Sequence, residues 1–177
     1  MKVDLQPWLR GNSIELRPLR PEDFEALFQA ASDPLIWEQH PEPNRYQWET
    51  FQKYFSGAIE SKGALAIIHF ATGQIIGSSR YSDYKPAERE IEIGWTFLRR
   101  EFWGGHYNRE LKALMVNHAF QFVDRVVFRV GADNLRSQKA LQKLGAKIFG
   151  GHDTPAFQGG LKPDLVFVIE PPQLTAP

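Results

Sequence analysis

The sequence predicts an α/β fold in which one mixed sheet carries helices on both faces. Three observations lead to this prediction. Helical periodicity dominates the early part of the chain, a hairpin pattern dominates the middle, and strand and helix patterns alternate in the remainder. This order differs from that of a doubly wound dinucleotide-binding fold.

The first part of the chain begins with a strand and two helices. Apolar and polar residues alternate over Ile14–Leu16, as in a short strand. Pro21–Asp23 predicts a helix start, because proline suits the first turn and acids suit its positive end. The apolar stripe of this helix is Phe24, Leu27, Phe28 and Ala31. Three prolines between 33 and 46 predict a structured loop, and helical spacing over 48–59 predicts the second helix.

The second part alternates strands with helices. Residues 65–81 predict a hairpin with a Thr-Gly turn, and 91–97 alternates apolar and polar residues with the period of a strand. A helix is expected over 106–124, and another runs from its N-cap Asn134 to Gly145. The other predicted strands are 126–130, 146–149 and 165–169.

Length and composition fit a single domain. The 177 residues are 42% hydrophobic and include 13 phenylalanines, which can fill a substantial core without a disulfide or a structural metal. We expect one domain over residues 1–177, with its core at about 14–170 and a frayed tail at 171–177.

Charge and cysteine content exclude several functions. Lysine plus arginine equals aspartate plus glutamate at 21 each, which argues against a general nucleic-acid binder. Without cysteine there is no thiol nucleophile, thiolate metal site or disulfide. No apolar run reaches the ~18 residues of a membrane span, and residues 1–10 lack the apolar segment of a signal peptide. We therefore expect a soluble cytoplasmic protein without membrane contact.

The segment Trp103–Asn108 indicates the chemistry most directly. It connects a predicted strand to a predicted helix and contains Gly104 and Gly105. Such a turn presents free N–H groups and the positive end of the helix dipole, which suit a phosphate. The simpler interpretation is a tight connection between strand and helix. The segment lacks the Gly-Lys-Ser/Thr ending of a P-loop and the third glycine of the dinucleotide fingerprint.

A second motif points to an acyl-CoA cofactor. Asn134–Gly145 lies one strand after the helix that follows the glycine turn. Together with Ile14–Asp23 and Ile91–Trp95, these motifs resemble the GNAT superfamily of acyl-CoA-dependent N-acetyltransferases, in its ribosomal-protein-acetyltransferase-like (RimJ/RimL-type) branch. The similarity extends from about Ile14 to Ile169. It implies a mostly antiparallel central sheet of about six to seven strands and acetyl-CoA as co-substrate.

The resemblance places the pyrophosphate of CoA at the glycine turn. The residues expected to bind it are Trp103, Gly104, Gly105, His106, Tyr107 and Asn108. The family motif has Gln or Arg, Gly, and Gly or Ala where this chain has Trp103, His106 and Asn108, so the glycines are displaced here. His106 could donate to a phosphate oxygen, and Asn108 could cap the helix.

Further positions carry over from the family. The strand end Phe97, Leu98 and Arg99 is expected to pair with the pantetheine arm, and Asn134 to bind that arm, to cap its helix, or both. The tyrosine that protonates the thiolate in many members is replaced by Leu141. Ser137, one turn earlier, is the available hydroxyl, and its alternative is a solvent-facing helix serine.

Glu92 is the preferred general base. Its side chain projects from a central strand between apolar neighbours, which should raise the carboxyl pKa. Glu88 and Glu90 share its face, so a solvated acidic edge is the alternative, as is a water chain with no dedicated base. The acceptor loop implied by the family contains Trp37, His40, Arg45 and Tyr46.

The histidines do not predict a metal site. No pair has the i, i+4 spacing of metal ligands, so no metal is expected. His118, on the apolar stripe of its helix, and His69, at a strand end, are expected to be structural. His40 is either functional or an exposed loop histidine.

Together these observations predict an acetyl-CoA-dependent N-acetyltransferase that works by direct attack of a primary amine. No cysteine exists, and no serine stands beside a histidine in a recognisable triad. The acceptor is left open among a protein N-terminus, a polyamine and another small amine. The alternatives are a non-catalytic acyl-CoA-binding module and a nucleotide-phosphate-binding regulatory domain. Direct nucleic-acid binding is not expected, and a homodimer is an expectation from the family alone.

Overall fold

A computed structural model describes residues 3–149 and 164–171 of the chain. The strands are β1 Leu9–Arg10, β2 Ile14–Pro18, β3 Ala64–His69, β4 Ile75–Lys85, β5 Glu90–Leu98, β6 Arg125–Gly131, β7 Lys147–Ile148 and β8 Asp164–Ile169. The helices are α1 Phe24–Ala31, α2 Trp48–Glu60, α3 Tyr107–Ala119 and α4 Leu135–Lys143. The predicted tail lies, apart from Pro171, outside the described residues.

The strands form one mixed sheet. Within the described residues its order is β1-β2-β3-β4-β5-β6-β8-β7, eight strands in all. Every neighbouring pair is antiparallel except β5 and β6, which are parallel. The mostly antiparallel sheet is therefore confirmed. The strand missing from the sequence prediction is β1, whose two residues are too few to carry a periodic signal.

The sheet separates two cores. Along β3, Leu65 and Ile67 lie in one core while Ala64 and Ala66 lie in the other, because neighbouring strand side chains point to opposite faces. The first core contains the buried side of α3 and Leu141 of α4. The second core contains the buried sides of α1 and α2. Helices on both faces of the sheet, as predicted, follow from this arrangement.

A buried ion pair holds the entrance to α1. Residues Pro21–Asp23 form a 3-10 turn, so the α-helix begins at Phe24, three residues later than predicted. Asp23 accepts two hydrogen bonds of 2.7 Å from the Arg17 guanidinium and one of 2.8 Å from the Arg20 N–H. Burial opposes ionisation, but these bonds outweigh it and lower the pKa of Asp23. The Asp23 carboxylate thus neutralises the Arg17 guanidinium at the start of α1.

A β-bulge interrupts β5. Two of its residues, Trp95 and Thr96, lie opposite the single Ser79 of β4, and Trp95 has φ 50°. Ile93, before the bulge, packs in the core under α3, whereas Phe97, after it, packs in the core under α1 and α2. The single unbroken alternation predicted for this strand is therefore wrong, because one extra residue exchanges the two faces.

The helices differ from the predictions mainly at their ends. The predicted 106–124 helix is shorter, since α3 ends at Ala119 and a turn leads to β6. α4 ends as predicted before Gly145, which has φ 86° and needs no Cβ there. Among the described helices, none combines the length and apolar character needed to cross a membrane.

Candidate active site

The parallel strands β5 and β6 separate in the middle of the sheet. They pair only over Glu90–Glu92 and Arg125–Val127. From Ile93 onward β5 pairs with β4 alone, and from Phe128 onward β6 pairs with β8 alone. The facing edges of the two strands are thus not used in strand pairing, and an extended ligand can bond to them. We call this feature the β5–β6 opening.

The glycine turn leads from the end of β5 into α3. Gly104 has φ 70°, a conformation that residues with a Cβ rarely adopt, and Gly105 does not share it. His106 occupies the N-cap position without a side-chain hydrogen bond to the helix, which begins at Tyr107. The first N–H groups of α3 therefore lack a side-chain cap and are available to an anion. The expectation that Asn108 caps the helix is wrong, because Asn108 lies inside the first turn.

The imidazole of His106 contacts another loop. Nε2 lies 2.7 Å from Ser13 Oγ and 4.0 Å from Glu110 Oε2. A nucleophilic triad places the serine and the acid on opposite ring nitrogens. Here both approach Nε2, so these residues do not form one. Contact of His106 with a phosphate stays a prediction.

Trp103 joins the two motifs that pointed to acyl-CoA. Its indole N–H donates to the Leu98 carbonyl at 2.8 Å, and the guanidinium carbon of Arg136 in α4 lies 3.8 Å from its ring centroid. The Arg99 N–H donates to the Ile76 carbonyl at 2.8 Å. The Leu98 carbonyl and the Arg99 N–H, both expected to lie at the pantetheine arm, are therefore hydrogen-bonded within the protein. Phe97 is buried, and the role of all three strand-end residues stays a prediction.

Asn134 caps α4. Its Oδ1 accepts a hydrogen bond of 3.1 Å from the Ser137 N–H, which confirms the capping role. The Ser137 side chain is half-buried, and its hydroxyl has no hydrogen bond to any residue that the structure describes. Leu141 is buried in the core under α3, so the position of the family's tyrosine supplies no proton. Contact of Asn134 and Ser137 with CoA stays a prediction.

Glu92 lies where β5 and β6 separate. The side chain is buried, and its Oε2 accepts a hydrogen bond of 3.0 Å from Arg129 Nε. Burial raises the pKa of Glu92, and the Arg129 guanidinium opposes that shift without cancelling it. Glu90 shares this face and pairs with Lys85 at 3.3 Å. Glu88 lies in the turn before β5, so the expectation that it shares the face of Glu92 is wrong.

A buried lysine beside the opening escaped sequence reasoning. Lys112 of α3 is 7% exposed, and its Nζ donates to Thr96 Oγ1 at 2.6 Å. The same Nζ lies 5.1 Å from the ring centroid of Phe128. Because Thr96 is on β5 and Phe128 on β6, the ammonium contacts both of the separated strands. Burial lowers the pKa of Lys112 to about 7.

The predicted acceptor loop packs against the face of the sheet that is covered by α1 and α2, opposite α3. His40 makes an edge contact of 5.4 Å with Trp37, and its Nε2 accepts from Arg45 at 3.2 Å. Burial, helped by the charges of Arg45 and Arg136, lowers the pKa of His40 to about 3, so the ring is neutral. Trp37 is fully buried, with its indole N–H bonded to the Ala31 carbonyl at 2.8 Å. It therefore supports the loop from beneath.

Two residues that the sequence did not indicate complete this surface. The Tyr54 hydroxyl of α2 donates to the Trp95 carbonyl at the bulge at 3.0 Å. Arg80 of β4 places its guanidinium carbon 4.7 Å from the Trp95 ring centroid and 5.8 Å from that of Tyr54. Tyr46 is half-buried, and its hydroxyl accepts a bond of 3.4 Å from the Gln47 amide. Contact of the loop residues with an acceptor stays a prediction.

His69 and His118 have structural contacts, as predicted, and His152 lies outside the described residues. His118 Nε2 donates to the Asp4 carbonyl at 2.8 Å, and His69 Nδ1 lies 3.1 Å from Thr72 Oγ1. Over residues 3–149 and 164–171, no group of three or more histidines or carboxylates is placed to hold a metal ion.

Several solved structures with the same fold are described as acetyltransferases. A structure described as an acetyltransferase has 27% identity and a TM-score of 0.79, over 92% of this chain and 86% of the other. An acetyltransferase structure from T. thermophilus has 26% identity and a TM-score of 0.75, over 92% and 88% of the two chains. RimJ of Mycobacterium smegmatis in complex with CoA-disulfide has 20% identity and a TM-score of 0.73, over 97% and 89%, and shares the fold.

The family model described as "Acetyltransferase (GNAT) domain" matches residues 13–147 of this chain. A comparison with curated proteins finds no match. The matched range runs from β2 through α4, so it includes the β5–β6 opening, the glycine turn and the capped α4. By family and fold, the chain is an acyltransferase that belongs to the GNAT acetyltransferase family.

Proposed function

We propose that the protein is an acetyl-CoA-dependent N-acetyltransferase that acetylates a primary amine by direct attack on the thioester. The observation that supports this most is the β5–β6 opening, which ends beside the uncapped amino terminus of α3. An elongated thioester cofactor with a pyrophosphate needs this pair of features: free strand edges for the pantetheine amides and N–H groups for the phosphates.

The residues present fit such a cofactor. A Cβ at Gly104 would have no neighbour within 4 Å, so the backbone of the turn is open to a close approach. Arg109, in the first turn of α3, is exposed and adds a positive charge near the helix terminus. The M. smegmatis RimJ structure, which has this fold, contains a CoA-disulfide. We assign the pyrophosphate to Trp103–Asn108 and the pantetheine arm to the end of β5.

The transfer needs one base and one acid. The amine nitrogen forms a bond to the carbonyl carbon, the C–S bond breaks, the amine loses a proton and the thiolate gains one. Glu92, buried where the opening begins, takes the amine proton. Ser137 and the Lys112 ammonium are the candidate donors to the thiolate, because Leu141 supplies none. With no cysteine in the chain, the acetyl group passes directly to the amine.

Substitution of the base tests this mechanism. Glu92→Gln should lower kcat by roughly 100-fold or more while leaving the Kd for acetyl-CoA within a few fold, since general-base catalysis contributes about 10²–10⁴. Glu90→Gln is the matched control, because Glu90 lies on the same strand and face but pairs with surface cations. Free thiol released from acetyl-CoA over a panel of amines measures kcat. An unchanged pH–rate profile in Glu92→Gln would remove Glu92 as the base.

The same panel decides between the proposal and its alternatives. Clear acetyl-CoA binding with no turnover over a broad set of amines would favour a non-catalytic acyl-CoA-binding module, which the buried Leu141 is compatible with. Binding of ATP without acetyl-CoA, by calorimetric titration, would contradict both and favour a nucleotide-binding domain.

A further inference from the structure

Three arginines lie against aromatic rings around the bulge of β5 and the glycine turn that follows it. We call Arg45, Arg80 and Arg136 the arginine cluster. Arg45 lies 5.0 Å from the ring centroid of Tyr54, and Arg80 and Arg136 lie over Trp95 and Trp103 at 4.7 and 3.8 Å. None of the three makes an ion pair with a carboxylate of the described residues. Each guanidinium is therefore held by aromatic rings while its charge is left unmatched.

Arg80 is the most unusual member. Its side chain is 8% exposed, and its Nε is buried without a hydrogen-bond partner in the part of the chain that the structure describes. Burial lowers the pKa of Arg80, which reports the cost of keeping this charge away from water. Elsewhere the chain pairs its enclosed guanidinium groups with carboxylates: Arg17 bonds to Asp23 and Arg129 bonds to Glu92. Only a bound anion would give Arg80 the same compensation.

The charges around the cluster compensate it only from a distance. Burial lowers the pKa of Arg45, and the nearby Arg80 charge contributes to that shift. Glu42 and Glu38 favour the charged forms of Arg45 and Arg136, but neither is within ion-pair distance. His40 accepts a hydrogen bond from Arg45 as a neutral ring. Because like charges repel, the cluster is stable only if an anion binds there or if the surrounding packing bears the cost.

The cluster lies close to the proposed site of attack. Arg80 pairs with Gly94 across the strands, and Glu92 is two residues from Gly94 on β5. Residues two apart on a strand share a face and are separated by roughly 7 Å. A molecule that presents its amine to Glu92 can therefore place a carboxylate near Arg80.

We infer that the arginine cluster binds a carboxylate of the acceptor, so that the amine to be acetylated belongs to an amino-acid-like molecule. This inference rests on the proposed acetyl transfer to an amine. A guanidinium matches the planar carboxylate with parallel hydrogen bonds, and it repels a cation. The carboxylate belongs either to a free amino acid or to a peptide with an acidic amino-terminal residue. Polyamines are excluded as acceptors, because each of their further charges would meet like charge at the cluster.

Matched acceptors test the inference. Initial rates of acetylation are compared for amino acids and their amides, for peptide amides that begin with Asp or Ala, and for spermidine. We expect kcat/KM to be roughly 10- to 100-fold higher for an acid than for its amide, since a charged hydrogen-bond pair contributes about that factor. The pair that shows the larger difference identifies the source of the carboxylate. Equal kcat/KM for acids and amides in both pairs, or spermidine as the best acceptor, would overturn the inference.

Substitution of Arg80 localises the effect. Arg80→Met should remove the preference for the acid by raising its KM, and Arg80→Lys should keep part of it. Arg89→Met is the control, because Arg89 is exposed and pairs with Asp124 away from the site. Arg45→Met provides a second variant if Arg80→Met does not fold, as judged by its thermal melt. Variants at Arg80 and Arg45 that fold and keep the full preference would contradict the assignment.

A binding experiment separates this inference from the proposed function. Calorimetric titration of the CoA complex with an N-acetyl amino acid and with its amide needs no turnover. Tighter binding of the acid, lost in Arg80→Met, supports the carboxylate site even if no amine is acetylated. Equal binding of the two probes contradicts the carboxylate site even if acetyl transfer to amines is observed.

Discussion

Burial sets the behaviour of the titratable residues around the β5–β6 opening. It raises the pKa of Glu92 and lowers the pKa of Lys112 and of His40. The cause is the same and the direction differs, because burial disfavours whichever form is charged. At neutral pH the site therefore combines a carboxylate with increased basicity, a lysine near its midpoint and a neutral imidazole. These are properties suited to moving protons.

Arg129 tunes the proposed base. Its guanidinium stabilises the ionised form of Glu92, so Arg129→Met should raise the pKa of Glu92 further. The acidic limb of the pH–rate profile should then move to higher pH, while the rate at alkaline pH changes less. Steady-state rates of wild type and variant between pH 5 and 9 measure the shift. An acidic limb that stays in place would separate the Glu92–Arg129 pair from catalysis.

Lys112 should make stability depend on pH. Its pKa falls from 10.5 unfolded to about 7 folded, so between these values the unfolded chain binds more protons. The free energy of unfolding of the wild type should therefore rise with pH over this window, by up to ~1.4 kcal/mol per pH unit relative to Lys112→Met. Below pH ~7 Lys112 is protonated in both the folded and the unfolded chain. The free energies of unfolding of the wild type and of Lys112→Met should then change with pH in parallel. Urea denaturation at pH 6, 8 and 9.5 measures the difference, and parallel curves throughout would place the ammonium in water.

At the scale of elements, two local backbone features position the site. The β-bulge at Trp95 turns Phe97 into the core under α1 and α2 and offers a carbonyl to Tyr54. The glycine turn starts α3 with its N–H groups uncapped. A bulky residue at positive φ, as at Trp95, costs about 1–3 kcal/mol and persists only where its surroundings enforce it. Both features lie beside the β5–β6 opening.

Substitution by alanine should affect stability and acetyl-CoA binding at Gly104 but not at Gly105. Gly104→Ala should lower the free energy of unfolding by about 1–2 kcal/mol and weaken acetyl-CoA binding, because a Cβ disfavours φ 70°. Gly105→Ala is the matched control: its Cβ would make only an ordinary contact of 3.7 Å with Tyr107. Denaturant titration and calorimetry measure the two effects. Equal tolerance of both substitutions would show that the turn does not depend on the conformation of Gly104.

At the scale of the molecule, the sheet is continuous on either side of the opening and divided only there. Strands β1 to β5 are joined antiparallel, and β6 joins β8 and β7. The two parts of the sheet meet through three residue pairs and through the core under α3. A ligand that bonds to both edges would therefore complete the sheet and stabilise the whole fold.

Acetyl-CoA should raise the thermal midpoint of unfolding. A ligand at 100 times its Kd stabilises the native state by about 2.7 kcal/mol, which corresponds to roughly 5–10 °C for a domain of this length. Differential scanning fluorimetry with acetyl-CoA, and with ATP at the same concentration, measures the effect. A shift with ATP as large as that with acetyl-CoA would contradict the assignment of an acyl-CoA site.

Much of the fold could be predicted because local sequence patterns indicate most of its strands and helices. The strands β2 to β6, helices α1, α2 and α4, and the cap Asn134 follow from periodicity and from residues with one preferred position. The bulge at Trp95 could not be predicted, because tryptophan does not favour a φ of 50° and no local pattern marks the extra residue.

The family, the order of elements and the place of the glycine turn can be read from the sequence, because they depend on residues close together in the chain. The side chains that meet at the β5–β6 opening cannot, because folding brings them together from distant segments. Lys112 and Thr96, and likewise Arg80 and Tyr54, are far apart in sequence and are joined by strand pairing and helix packing. Burial in the folded chain lowers the pKa of Lys112 and of Arg80, and no local sequence pattern indicates that burial.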